Sequence, residues 1–150
     1  MTGPASSRRT RRVMLWIAII SVAGVSVSSI SLYHHFGTSK TSFCDLGRSF
    51  NCDLVNRSIY STMAGVPVAL IGILGYLAIL AFATVYRDKA ETPLLLALAS
   101  VGGLAFSLRL TYIEAHVLGV WCVLCLSSLA VIFTLAILSM SLAVSALRRV

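Results

Sequence analysis

At 150 residues the chain has room for one domain. Its 58% hydrophobic content, mean hydropathy of +0.93 and charged share of only 11% exceed what a soluble core needs, and they exclude an ordinary soluble globule. The net charge of +7 sits at the ends of apolar runs, which makes it a topology signal and argues against a nucleic-acid partner.

In chain order, residues 1–12 read as a tail carrying Arg8, Arg9, Arg11 and Arg12. Ser7-Arg8-Arg9 loosely resembles a twin-arginine export signal. The apolar run behind it is longer than a signal-peptide core, and Ser31-Leu32-Tyr33 is a poor cleavage site, so the first helix is expected to stay in the mature protein. About 20 apolar residues suffice to cross a bilayer. Four such runs follow, at Val13–Tyr33, Val66–Tyr86, Leu94–Ile113 and Val120–Leu142. In hydrocarbon every backbone polar group must be satisfied internally, so each is expected to be a helix. The reading is an all-α membrane protein, a single domain over residues 1–150 with four transmembrane helices.

Residues 34–65 form the long connection. Gly37 to Ser42 read as coil, and Leu54, Val55, Ser58 and Ile59 are expected to share one face of a short helix on the membrane surface. Gly65-Val66-Pro67 starts the second helix, with Pro67 tolerated in its first turn. Arg87 to Pro93 makes a short link between antiparallel neighbours, and Glu114 to Gly119 a shorter return. Gly72, Gly75, Gly102 and Gly103 allow close helix packing.

If the spans alternate, Arg8, Arg9, Arg11, Arg12, Arg87, Lys89, Arg148 and Arg149 fall on one side, against Lys40, Arg48 and Arg57 on the other. The positive-inside rule then places both termini in the cytoplasm. The expected location is a bacterial inner membrane, with the 34–65 loop extracytoplasmic.

All four cysteines then lie near the extracytoplasmic surface, where disulfides form and persist. Cys122 and Cys125 are spaced to bridge across one helical turn, at a helix start that favours a thiolate. They also border the apolar space within reach of a quinone ring. Cys44 and Cys52, with seven residues between them in a loop, suit a shuttle that meets a soluble dithiol and then the second pair. Zinc fails on spacing, and covalent haem fails because Leu126, not histidine, follows Cys125; no metal is expected. A plain structural Cys44–Cys52 disulfide stays open, but leaves the Cys-Val-Leu-Cys motif unexplained.

Cys44, Cys52, Ser58 six residues after Cys52, the Gly65-Val66-Pro67 helix start and Trp121-Cys122-Val123-Leu124-Cys125 together resemble bacterial vitamin K epoxide reductase homologues, over about Phe43 to Ser128. The resemblance implies a four-helix bundle around a quinone (menaquinone, ubiquinone or a relative), capped by the loop. It implies oxidation of a DsbA-like thioredoxin-fold partner, with electrons passed to the quinone. By position Cys44 exchanges with the partner, Cys52 attacks Cys122, and Cys125 reacts with the quinone; Ser58 matches a loop serine near the active site. The vertebrate Thr-Tyr-Ala sequence is replaced by Ser128-Leu129-Ala130, which argues against vitamin K epoxide as substrate. Many bacterial homologues carry a fused thioredoxin-like domain; with Val150 following shortly after the fourth helix, the partner is expected to be a separate protein. DsbB-type proteins do the same work with the order of the two cysteine pairs reversed.

Arg109, about one turn inside the third helix, is read as snorkelling or pairing with Glu114, with a place near the quinone headgroup as the alternative. Trp121 stacks on the quinone or anchors at the interface. His34, His35 and His116 read as interfacial, and the Asn56-Arg57-Ser58 sequon as coincidental. The rival functions are a small membrane transporter, disfavoured because none of the five acidic residues lies mid-span, a haem electron carrier using these histidines, and a non-enzymatic assembly factor.

Overall fold

The computed structural model describes residues 4–37, 44 and 47–149. Most of the coil read for Gly37 to Ser42 therefore lies outside the described residues. Helix α1 runs Pro4–Phe36, α2 Cys52–Asn56, α3 Val68–Thr84, α4 Thr92–Ile113 and α5 Val123–Leu147. A π-helical turn, Glu114–Leu118, extends α4 and ends at Gly119, whose positive φ of 64° closes it.

Three stretches are long and apolar enough to cross a membrane: Ser7–Phe36, Thr92–Leu118 and Val123–Leu147. Helix α3 is apolar but shorter, at 17 residues, or about 25 Å at ~1.5 Å per residue. Many large apolar side chains on these helices face outward, among them Leu15, Trp16, Leu74, Leu98 and Phe133. Lipid rather than water is the solvent that tolerates such a surface. The protein is a helical membrane protein.

The four long helices close a ring: α1 packs on α3 and α5, and α4 on α3 and α5. Gly24 of α1 meets Tyr76 of α3, and Gly72 of α3 meets Ser28 of α1, so the two helices run antiparallel. A Cβ on Gly24 would stand 2.5 Å from the Tyr76 ring; only glycine lets this aromatic lie flat on the helix backbone. Gly72 and Gly103 likewise face close neighbours, whereas Gly75 and Gly102 face open space. Ile17, Tyr76, Ile79, Leu96, Ile132 and Leu135 fill the ring. Ser21, Ser26 and Ser29 return their hydroxyl protons to carbonyls four residues back, which makes them tolerable in an apolar helix.

The helix ends differ from those expected. Residues 4–12 are part of α1 rather than a tail before it, because arginine is a good helix former and nothing after Pro4 breaks the turn. Val66–Pro67 are not the first turn of α3 but a strand, β2, paired with β1, Thr62–Met63. Ala64 and Gly65, at φ of 53° and 82°, make the tight reversal between them. Helix α2 turns Cys52, Val55 and Asn56 inward, at the i, i+3, i+4 spacing of one helix face, and leaves Leu54 and Ile59 exposed. The expected face of Leu54, Val55, Ser58 and Ile59 is thus not the one the fold buries.

Candidate functional site

At one end of the bundle the 47–67 segment folds back over α1 and α5. Asn51 begins α2, its side chain accepting the Leu54 N–H at 2.8 Å. Three contacts tie α2 to the end of α1: His34 Nδ1 donates to Asp53 at 3.3 Å, His35 Nδ1 donates to the Asn56 carbonyl, and Ser31 Oγ donates to Asn56 Oδ1 at 2.7 Å. A parallel bridge joins Phe50 to Trp121, with Asn51 N–H on the Trp121 carbonyl at 3.1 Å and Trp121 N–H on the Ser49 carbonyl at 2.9 Å.

These contacts gather the sulfurs. Cys44 and Cys52 form a disulfide with a Cα–Cα distance of 5.7 Å. Cys44, Cys52 and Cys122 are buried in one cluster with Val55 and Leu124, and Cys125 packs against it. Cys122 and Cys125 carry free thiols, Cys122 buried and Cys125 half-buried. Cys122 stands at the N-terminal edge of α5 and Cys125 within its first turn.

Two polar side chains that the sequence reading did not single out complete the cluster. Asn56 Nδ2 points at Cys122 Sγ from 3.9 Å while Ser31 holds its amide oxygen. Glu114, only 2% exposed, accepts the Cys122 backbone N–H at 3.2 Å. The Cys125 thiol's hydrogen bond to Cys122 lowers the Cys122 pKa below its ordinary value, against the opposing effects of burial and the Glu114 carboxylate. A lowered pKa raises the thiolate fraction of Cys122, the form that exchanges with disulfides.

The site opens into a cavity of about 100 Å³ between the helices. Its walls combine Phe106, Leu110 and Leu124 with Ser31, Asn56, Ser58, Glu114 and Cys125. An apolar enclosure with a few convergent polar groups is the usual form of a small-molecule site. Cys125 is on the wall and Cys122 lies behind it. Among the described residues no group of three or more His, Cys, Asp or Glu is arranged to hold a metal ion.

The remaining expected site residues are placed unevenly. Ser58 lines the cavity, its hydroxyl donating to the Val55 carbonyl at 2.8 Å. Trp121 is half-buried and joins the site through its backbone, outside the cavity wall. Arg109 is exposed and does not line the cavity, and among the described residues no ion pair joins it to Glu114. His116 is exposed and stacks on Tyr112.

Asn56 offers a measurable effect. Asn56→Ala removes a donor to the Cys122 sulfur, so less stabilisation of the thiolate means a higher thiol pKa. The pH profile of Cys122 alkylation, read by peptide mapping, should move upward by up to about one pH unit. An unmoved profile would mean that Asn56 only holds the loop.

The sequence model described as the Vitamin K epoxide reductase family matches residues 15–140, which takes in all four cysteines, Asn56 and Glu114.

Proposed function

The chain belongs to the Vitamin K epoxide reductase family, and from that premise we propose that it is a disulfide-generating enzyme that oxidises a DsbA-like thioredoxin-fold protein at the expense of a membrane quinone. Family membership implies a thiol–disulfide oxidoreductase that acts with a quinone. The observation that carries the finer reading is the packing of the Cys44–Cys52 disulfide against Cys122, with Cys125 on the wall of an apolar cavity.

In this reading a thiolate of the reduced partner attacks Cys44 and displaces Cys52 as a thiolate. The partner's second thiol attacks the mixed disulfide, so the partner leaves oxidised and Cys44 and Cys52 are left as a dithiol. Cys52 then attacks Cys122 of a Cys122–Cys125 disulfide, and Cys44 resolves the Cys52–Cys122 bond. The products are a Cys44–Cys52 disulfide and a Cys122/Cys125 dithiol, the thiol states seen in this structure. A bound quinone supplies an acceptor for two electrons and two protons. Cys125 is the thiol placed to meet it, and Asn56 stabilises Cys122 as the thiolate that leaves and returns.

The same reading makes the chain a single transmembrane domain in which all four long helices cross a bacterial inner membrane. Both termini are cytoplasmic, and the 34–65 loop caps the quinone site from outside. Ser58, on the cavity wall, then lies beside the quinone, and the exposed Arg109 serves as a surface anchor.

Purified protein mixed with a reduced DsbA-like protein and ubiquinone or menaquinone should reduce one quinone for each partner disulfide formed, followed by quinone absorbance. Folded protein with all four cysteines intact that reduces neither quinone would overturn the reading.

A further inference from the structure

Glu114 is the one described carboxylate placed at both free thiols. One oxygen, Oε2, is spent on the Cys122 backbone N–H. The other, Oε1, is buried and has no hydrogen-bond partner among the described residues. The carboxyl group lies beside the Cys125 thiol, and both line the cavity. No Lys, Arg or His forms an ion pair with it among the described residues. A buried carboxyl group without an ion-pair partner is costly. Holding one backbone N–H does not account for that cost, because a glutamine would do the same without a charge. Glu114 also opens the π-helical turn Glu114–Leu118, an irregularity that helices concentrate at functional sites.

We propose that Glu114 takes the proton of the Cys125 thiol as the Cys122–Cys125 dithiol is oxidised, and hands it on through the cavity. The proposal rests on the functional reading above and names a catalytic group for it. Oxidation breaks two S–H bonds and forms one S–S bond, releasing two electrons and two protons. The quinone is the oxidant and takes up both electrons and two protons. Oε1, the free oxygen, receives the Cys125 proton and gives it up across the cavity, so Glu114 ends the cycle as it began. The second proton leaves from Cys122, whose thiolate is stabilised by its neighbours. The other titratable groups around the cavity are His35 from α1 and Tyr60 from the loop.

The test uses the full chain in lipid nanodiscs, fully reduced and freed of reductant. Single-turnover oxidation of Cys122–Cys125 by a soluble quinone analogue should be about 10²-fold slower in Glu114→Gln than in wild type. Glu114→Asp, which keeps the carboxyl group, should recover most of that loss. In a separate sample that has not been reduced, exchange of dithiothreitol with the Cys44–Cys52 disulfide, measured without quinone, should stay within twofold in both variants and reports that they are folded. A second readout needs no quinone: oxidation removes the Cys125 S–H beside the carboxyl group, so the infrared difference between chemically oxidised and reduced protein should contain a shifted carboxyl band that Glu114→Gln lacks. Glu114→Gln oxidised within threefold of wild type, or a wild-type difference spectrum without the carboxyl band, would overturn the proposal. Wild type that oxidises no dithiol with quinone would instead sink the functional reading, and the infrared comparison would still decide the role of the carboxyl group.

Discussion

Cys125→Ala should lose quinone reduction by at least roughly 10³-fold, as expected when a residue that acts as a unit with its partner is removed. It should also rearrange its own disulfides. With Cys125 gone, Cys122 has no partner in its helical turn, while the Cys44–Cys52 disulfide is packed against it. Attack of the Cys122 thiolate on Cys52 forms a Cys52–Cys122 disulfide and frees Cys44, with no oxidant required. Non-reducing peptide mapping should find that bond accumulating, together with a newly alkylatable Cys44. A variant that keeps only Cys44–Cys52 would contradict the order of the relay, even if activity were lost.

The complementary expectation concerns Cys52→Ala. Cys44 remains able to form a mixed disulfide when the variant is supplied with a partner that keeps only its first cysteine, activated as a disulfide with a small thiol that departs, but no thiol is left to carry electrons to Cys122. Quinone reduction should again fall by roughly 10³-fold or more, while Cys44 accumulates as a partner conjugate visible on a non-reducing gel. Retained turnover would show that Cys44 reaches Cys122 directly. A variant without conjugate would show that the partner meets a different sulfur.

Much of this arrangement is legible in the chain because lipid imposes strong patterns. Apolar runs mark the four long helices, and the spacing of the cysteines marks the candidate site where they cluster. What the sequence conceals follows from how each signal arises. Hydropathy reports where a helix meets lipid, not where it stops winding, so the first turns of α1 through the arginines resemble a tail in the sequence. The Ala64-Gly65 reversal delays α3 through backbone angles that an alanine does not advertise. Trp121 was read for its ring, yet its contribution to the site is main-chain pairing with Ser49 and Asn51. Asn56 looked like part of a sequon and Glu114 like part of a return. Their contacts to Cys122 join residues 66 and 8 positions apart, and no local periodicity encodes such meetings.

The Phe50–Trp121 bridge bears on how this surface can change over time. Its two hydrogen bonds run between peptide groups, so they are indifferent to which side chains occupy 49, 50 and 121. Proline at 51 or 121 is the exception, because it removes the donor. Side chains at 49, 50 and 121 are therefore free to change while the Cys44–Cys52 disulfide keeps its registration beside Cys122. In the proposed function, substitutions on this surface would change which partner is oxidised without rebuilding the electron path beneath.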